Sequence, residues 1–134
     1  MDATQLEALI AQHFPQAHDF CQITSLHGDE MGLRMPCRPD MLRPGGTISG
    51  PALMGLADLG AYLLILSQLG PVVLAVTSSL NIHFLRKPEA HDVLAIVRML
   101  KRGKQLVVCE VQMSSALDQQ LIAQATVTYS IPPR

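Results

Sequence analysis

The sequence predicts an α+β domain in which an antiparallel β-sheet wraps around one long central helix. The segment from Gly50 to Leu69 has helical spacing but almost no polar face, so the helix that it forms must be enclosed by protein. Four segments with alternating apolar and polar residues follow it, joined by short turns. Strands joined in this way are antiparallel neighbours in one sheet, which gives the α+β architecture.

The elements ahead of this helix are predicted from residue spacing and from residues that interrupt regular structure. Residues 4–14 have the 3.6-residue spacing of a short amphipathic helix, and Pro15 ends it. Residues 20–26 and 31–37 are predicted as two strands around a turn. A loop rich in Arg, Pro and Gly, residues 38–50, leads into the central helix.

The ends of the central helix are clearly marked. Ser49 is a good N-cap, and Pro51 suits the first turn because an N–H there would have no helical partner. Gly70-Pro71 stops the helix. Gly55 and Gly60 weaken the helix relative to alanine, so we expect another backbone to approach it closely at these positions.

The four strands behind the helix are predicted at residues 72–85, 93–101, 105–115 and 121–131. In the first strand, strict alternation places Leu80 on one face and Thr77 on the other, together with His83. A lone histidine in such a position is more often structural than catalytic. One face of the last strand carries Leu121, Ala123, Ala125, Val127 and Tyr129.

The composition fits one globular domain, residues 1–134, and excludes several functional classes. A chain of 134 residues has the size of a single domain. Hydrophobic residues make up 49% and charged residues 16%, which excludes a disordered chain. A formal net charge of −1 lacks the basic surplus of a nucleic-acid-binding protein, so we expect no nucleic-acid partner. Low charge with high apolar content favours self-association.

Cysteine usage and the distribution of apolar residues indicate a cytoplasmic protein. Cys21, Cys37 and Cys109 lack the spacing of a zinc site and fit a reducing compartment, so we expect no metal and no cofactor. The first residues are acidic rather than basic, unlike a signal peptide. The most apolar run, residues 52–66, is too short to cross a bilayer and contains Asp58, so we expect no membrane partner.

Asp58 is the strongest candidate for chemistry. It is the one formally charged residue between Arg43 and Arg86, and a lone carboxylate on an apolar helix is costly to bury without a partner. One interpretation is structural, with Asp58 at an exposed groove or paired with an arginine. The other is a weakly solvated carboxylate that acts as a base or a nucleophile.

The start of the central helix is the second candidate. Its unpaired N–H groups, beginning at Gly50, suit an anion or an oxyanion, although Ser49 could simply cap the helix. Asp58 lies eight residues after Gly50, about 12 Å along a regular helix, which favours a site built by two chains. Arg86 and Lys87 are either solvated turn residues or contacts for a phosphorylated ligand.

Three segments in this order resemble a known family. They are GTISGPALMGLAD at residues 46–58, AVTSSLNIHFLRKP at 75–88, and the final hairpin at 103–129. The chain from about Arg38 to Tyr129 resembles the hot-dog-fold acyl-CoA thioesterases of the phenylacetate-degradation (PaaI-like) type. The family begins its helix with His-Gly-Gly and has a catalytic acid nine residues after the His. Those three places are occupied here by Ser49, Gly50 and Pro51, and the acid by Asp58.

The resemblance implies roles for individual residues. Asp58 would act as general base or nucleophile, and the Gly50 N–H would hold the thioester carbonyl oxygen. Thr77 matches a strand hydroxyl that many members place near the acid of the partner chain, where it would orient the water or the acid. Ser49, Arg86 and Lys87 are the expected substrate-binding residues. Arg43 stands where the family commonly has Asn.

The implied function is hydrolysis of acyl-CoA-type thioesters by a homodimer, or by a dimer of dimers, with active sites at the dimer interface. An alternative is a non-catalytic acyl-CoA-binding module, which the departures at Ser49 and Arg43 favour. A hot-dog dehydratase or hydratase is a further alternative and would pair His83 with an acid.

The sequence favours aliphatic acyl groups of short or medium length. The chain has three Phe, two Tyr and no Trp, so few rings are available to stack on an aromatic acyl group. The expected groove walls on the helix are small or aliphatic: Leu53, Met54, Ala57 and Ala61.

Overall fold

A computed structural model describes residues 1–133 and contains two α-helices and six β-strands in that range. The helices are α1 (Ala3–His13) and α2 (Gly50–Leu69). The strands are β1 (Gln22–His27), β2 (Glu30–Met35), β3 (Val76–Phe84), β4 (Val93–Arg102), β5 (Leu106–Ser115) and β6 (Leu121–Ser130). Each predicted element is present, with ends that differ by a few residues.

The six strands form one antiparallel sheet in the order β1-β2-β4-β5-β6-β3. Helix α2 lies across one face of this sheet and contacts every strand from β2 to β6. The predicted α+β class, with a hot-dog arrangement of sheet and central helix, is confirmed. The order places β3 at an edge of the sheet, although it is the first strand after α2 in the chain.

The core explains why α2 has no polar face. The inward residues of β2, β4, β5 and β6 are apolar and buried, and they cover one side of the helix. Leu6 and Ile10 of α1 are also buried in this core. With 20 residues, α2 is longer than the apolar run predicted from the sequence, and its length and composition would suffice to cross a bilayer. Most of it is buried among the strands, which accounts for its apolar sequence.

Gly60 allows side chains of the sheet, rather than another backbone, to approach the helix. A Cβ atom at this position would lie 2.9 Å from Cγ2 of Val97 and 3.0 Å from Cδ1 of Leu33. At Gly55 the nearest atom would be in the ring of Phe20, at 3.4 Å. The expectation of a close backbone was therefore wrong, because side chains occupy the space beside both glycines: Val97 and Leu33 at Gly60, and Phe20 at Gly55.

A β-bulge in β3 changes the face on which its first residues lie. Thr77 pairs with Tyr129 and Leu80 pairs with Val127, so Ser78 has no cross-strand partner. The extra residue shifts the alternation by one, and Thr77 shares the helix-facing side with Leu80. Strict alternation had placed these two residues on opposite faces, which was wrong because a sequence pattern does not reveal an inserted residue.

Asp92 joins the end of β2 to the start of β4. Its Oδ1 accepts a hydrogen bond from the Cys37 N–H at 2.8 Å, and its Oδ2 accepts one from Nε of Arg34 at 2.9 Å. The Cys37 hydrogen bond, followed by the hydrogen bond and charge of Arg34, lowers the pKa of Asp92 below its ordinary value. The ionised carboxylate therefore stabilises the fold.

Replacing Asp92 by Asn should remove a pH-dependent part of the stability. A carboxyl whose pKa is lowered by folding stabilises the protein above its ordinary pKa of 3.8, and this contribution is lost as the pH falls through the lower folded value. We expect the variant to lose about 1 kcal/mol of unfolding free energy at pH 7. In urea titrations, the difference from wild type should shrink as the pH falls below about 4.

Asp29→Asn is the matched control, because Asp29 is exposed and its side chain forms no hydrogen bond within residues 1–133. It should retain the wild-type dependence of stability on pH. An Asp92→Asn variant that differs equally from wild type at pH 7 and pH 3 would contradict the role of the ionised carboxylate.

Candidate active site

The carboxylate of Asp58 lies between two hydroxyl groups. Its Oδ1 accepts a hydrogen bond from Oγ1 of Thr77 at 2.5 Å and another from the Tyr129 hydroxyl at 2.9 Å. The Tyr129 hydroxyl also lies 3.1 Å from the main-chain oxygen of Asp58. Within residues 1–133, Asp58 forms no ion pair, so the predicted alternative of an arginine partner does not apply there.

Two neighbouring strands bring these hydroxyl groups to the helix. Thr77 on β3 and Tyr129 on β6 are cross-strand partners, and the bulge at Ser78 turns Thr77 toward α2. The resemblance implied that Thr77 would lie near the acid of the partner chain. In the structure, Thr77 donates a hydrogen bond to Asp58 of its own chain.

Tyr129 is the residue of this site that the sequence analysis did not assign a role. Only 4% of its surface is exposed. Burial raises the pKa of Tyr129 above its ordinary value, and the nearby charge of Asp58 raises it further, so the hydroxyl keeps its proton and donates. The signal was present in the sequence: a tyrosine on the apolar face of a strand needs a hydrogen-bond partner for its hydroxyl.

An apolar pocket of about 230 Å³ opens beside Asp58. It is walled by α2, by β6 and by the segment that follows α1. Four of the five aromatic side chains of the protein line it: Phe14, Phe20, Tyr62 and Tyr129. The Tyr62 ring contacts both Phe14 and Tyr129, with centroid distances of 6.1 and 5.8 Å. The rings are few, but they are concentrated next to the candidate catalytic group.

This pocket differs from the aliphatic groove expected from the sequence. Ala57 and Ala61 are fully buried in the core, as is almost all of Leu53, and Met54 is exposed on the outside of the helix. Composition counts rings without locating them, so it did not indicate that four of them lie together beside Asp58.

The first turn of α2 has one free N–H group within the described residues. Oγ of Ser49 accepts a hydrogen bond from the Ala52 N–H at 3.3 Å, and the Leu53 N–H donates to the main-chain oxygen of Ser49. Pro51 has no N–H. The N–H of Gly50 therefore remains available for a ligand, as predicted for an oxyanion donor.

A second cleft, of about 670 Å³, contains Gly50 together with three cationic residues. Arg86 and Lys87 line it after the end of β3, and Arg43 lines it from the loop before α2. The Ile48 N–H donates to the Pro88 oxygen at 2.9 Å, which ties the two segments together. Ser49, predicted to bind substrate, caps the helix and lines a separate cleft of about 500 Å³.

The structure does not bring all predicted residues together within one chain. Asp58 lines the aromatic pocket and Gly50 lines the basic cleft, and the two cavities share no residue. His83 pairs with Gln124, between the buried inward-facing Ala123 and Ala125, and so lies on the opposite face of the sheet from Thr77. The arrangement gives no support to a dehydratase that pairs His83 with Asp58.

Comparisons with known proteins identify the family of this chain. Residues 45–129 match the family described as the thioesterase superfamily, which spans more than half of the chain. The chain belongs to the thioesterase superfamily. This confirms the resemblance drawn from the sequence and makes the chain a thioester hydrolase. No curated protein matches its sequence.

Several solved structures share the fold of this thioesterase superfamily member. A candidate thioesterase from Silicibacter sp. is 40% identical, with a TM-score of 0.91 over 99% of this chain and 93% of that one. The E. coli PaaI protein of the phenylacetic acid degradation operon is 21% identical, with a TM-score of 0.82 over 98% and 94%. A Streptococcus mutans protein bound to acetyl-CoA is 20% identical, with a TM-score of 0.74 over 85% and 90%.

Removing the Thr77 hydroxyl should slow thioester hydrolysis. Thr77→Val keeps the shape of the side chain but takes one hydrogen bond from the Asp58 carboxylate. Hydrogen bonds to charged groups contribute about 1.5–3 kcal/mol, so we expect kcat to fall roughly tenfold to a hundredfold in a thiol-release assay. Thr77→Ser keeps the hydroxyl and should stay within about threefold of wild type. Equal kcat values for Thr77→Val and wild type would show that the hydroxyl has no part in turnover.

Proposed function

We propose that this protein hydrolyses acyl-CoA thioesters with Asp58 as the general base. The observation that carries the proposal is the Asp58 carboxylate, held by two hydroxyl donors at an apolar pocket and without a cationic partner in residues 1–133. Both hydrogen bonds end on Oδ1 and leave Oδ2 free to accept a proton from water. Of the two roles that the sequence left open for Asp58, we propose the general base.

The proposed reaction begins with a water molecule beside Oδ2 of Asp58. The carboxylate takes a proton from this water, whose oxygen forms a bond to the thioester carbon. The carbonyl oxygen becomes an oxyanion, which the Gly50 N–H stabilises; one such donor is typically worth roughly 3–4 kcal/mol. The carbon–sulfur bond then breaks, and the thiolate of CoA leaves with the proton that Asp58 had taken.

A homodimer would bring Gly50 of one chain to Asp58 of the other. The outer edge of β3 has no partner within residues 1–133, and its exposed side chains include Val76 and Phe84, at 60% and 54%. A long exposed edge strand with apolar side chains is suited to pairing. Antiparallel pairing of two β3 strands about a two-fold axis near Leu80 would bring the Val76–Thr77 end of one strand beside the Phe84 end of the other.

This pairing would assemble a complete site from two chains. The Phe84 ring lies against Gly50, since a Cβ atom at Gly50 would be 3.4 Å from it. Val76 precedes Thr77, which contacts Asp58. The Gly50 cleft of one copy would therefore meet the Asp58 pocket of the other. A two-chain site also resolves the separation of about 12 Å between the two groups within one helix.

The basic cleft is suited to the phosphate groups of CoA. Arg43, Arg86 and Lys87 lie around Gly50, and no acidic side chain among residues 1–133 lines the same cleft. Guanidinium groups bind phosphate oxygens in a bidentate manner, and lysine adds a mobile positive charge. The acetyl-CoA bound to the similar Streptococcus mutans protein supports CoA as the carrier. The resulting assignment makes Arg43 a substrate-binding residue, although the sequence marked it only as a departure.

The aromatic pocket is suited to a compact acyl group that carries a ring. Its volume of about 230 Å³ is below the usual range of pockets for drug-sized ligands, which begins at roughly 300 Å³. Phe14, Phe20 and Tyr62 offer ring edges and faces to an aryl group. We therefore propose aryl acyl groups in place of the aliphatic groups expected from composition.

Replacing Asp58 by Asn should abolish thiol release while leaving the fold and the dimer intact. The amide keeps an oxygen that accepts from Thr77 and Tyr129 but cannot act as a base at neutral pH. The measurement is release of free thiol from acyl-CoA thioesters of C2 to C16 chain length and from benzoyl-CoA and phenylacetyl-CoA. We expect a loss of at least about a thousandfold for Asp58→Asn and the fastest turnover with the two aryl substrates.

Each contrary result has a specific meaning. A wild-type kcat in Asp58→Asn would reject the role of Asp58. If the wild type released no thiol from any substrate but bound CoA thioesters in calorimetry, the protein would be the non-catalytic binding module. A preference for an aliphatic substrate would reject the aromatic pocket as the acyl site.

Mixed dimers test whether the active site is shared. Gly50→Pro removes the N–H and adds ring carbons beside the Phe84 ring. Proline is accepted at the first helical position, and the extended backbone of Ser49 suits a following proline. Gly50→Pro and Asp58→Asn should each be inactive. Subunit exchange between them should restore about a quarter of wild-type activity, because half of the dimers carry one intact site.

Thr77→Val mixed with Asp58→Asn is the matched control. Both changes alter the same half of the proposed site, so no intact site forms and activity should not recover. Absence of recovery in the Gly50→Pro mixture, with exchange verified by mass spectrometry, would place the site within one chain. A monomer in sedimentation would contradict the dimer itself.

A further inference from the structure

The Tyr129 hydroxyl contacts both the carboxylate and the main chain of Asp58. It lies 2.9 Å from Oδ1 and 3.1 Å from the main-chain oxygen. Because one hydroxyl lies between these two oxygens, it restricts rotation of the Asp58 side chain. The orientation of the carboxyl group relative to the axis of α2 is thereby fixed. Thr77 donates to Oδ1 and forms no hydrogen bond with the main chain of Asp58 within residues 1–133, so it does not impose this restriction.

Tyr129 is itself held more firmly than Thr77. Its strand, β6, has paired strands on both sides, β5 and β3. The ring is buried and packs on Tyr62 with an angle of 31° between the ring planes. Thr77 is exposed, lies on the edge strand and precedes a bulge. Of the two donors, Tyr129 is the one whose position the core determines.

Within residues 1–133, both hydrogen bonds from side chains to the Asp58 carboxylate end on Oδ1. We infer that Tyr129 is a positioning residue that keeps Oδ1 occupied and presents Oδ2 to the reacting water. This inference rests on the proposed role of Asp58 as general base. Tyr129 takes no proton and forms no bond during the reaction; it acts through Asp58.

Tyr129→Phe tests the inference because it removes only the hydroxyl and keeps the ring in the pocket. We expect kcat for the best acyl-CoA substrate to fall roughly tenfold to a hundredfold, with KM within about twofold of wild type. In an Asp58→Asn background the same change should cause no further loss of kcat, because the base that Tyr129 positions is already absent. A purely structural effect would multiply the two losses instead.

Tyr62→Phe is the comparison variant. The Tyr62 hydroxyl donates to the main-chain oxygen of Val73 at 2.7 Å and forms no hydrogen bond with Asp58 within residues 1–133, although its ring packs on that of Tyr129. Its loss of kcat should be clearly smaller than that of Tyr129→Phe, at a similar loss of thermal stability. Equal losses of kcat in the two variants, or a kcat of wild-type size in Tyr129→Phe, would overturn the inference while leaving the role of Asp58 intact.

A spectroscopic measurement separates this inference from the proposed function. The chain has two tyrosines, so 3-fluorotyrosine incorporated into Tyr62→Phe reports on Tyr129 alone. Asp58→Asn in that background should shift the ¹⁹F resonance, whereas Asp29→Asn should not. An unshifted resonance would overturn the contact. Wild type that releases no thiol from any substrate would overturn the proposed function and, with it, the positioning role.

Discussion

Helix α2 is apolar and enclosed, yet it carries one carboxylate that needs polar partners. The position of the candidate site in this structure depends on that need. Helix α2 can be apolar all round because strands β2 to β6 and helix α1 cover it. A charged side chain within such a helix must reach a polar partner, since an unpaired charge in an apolar interior is very costly. Asp58 finds its partners where α2 passes β6 and the edge strand β3. The candidate site, the pocket and the exposed sheet edge all meet at this place.

Much of the fold and part of the site could be predicted, because they follow from local patterns. Apolar residues without a polar face predicted α2, alternation predicted the strands, and isolation of charge identified Asp58. The contact with Tyr129 could not be predicted, because it joins residues that are distant in the chain. The orientation of Thr77 depended on an inserted residue, Ser78, that leaves no trace in composition. The aromatic pocket required three-dimensional placement of rings that were only counted in the sequence.

The departures from the family pattern also become interpretable in structural terms. Ser49 is the N-cap of α2, and its Oγ accepts a hydrogen bond from the Ala52 N–H. Together with Pro51, which has no N–H, it leaves Gly50 as the free donor of the first turn within the described residues. Arg43 lies at a turn that includes Gly45 and Gly46, both with positive φ, and adds a cation to the cleft around Gly50. The substitutions thus leave the donor in place and increase the positive charge near it.

The chemical character of the Asp58 partners bears directly on what the carboxylate can do. An arginine at the same distance would satisfy the charge, but a permanent cation favours the ionised form and makes the carboxylate a poorer base. Hydroxyl groups of Thr77 and Tyr129 satisfy the oxygen lone pairs without a compensating charge. Both donate to the same oxygen, so the other oxygen keeps its capacity to accept a proton. Two neutral donors on one oxygen therefore meet both requirements. They hold the carboxylate in a stable position on α2, and they leave its other oxygen able to act as a base.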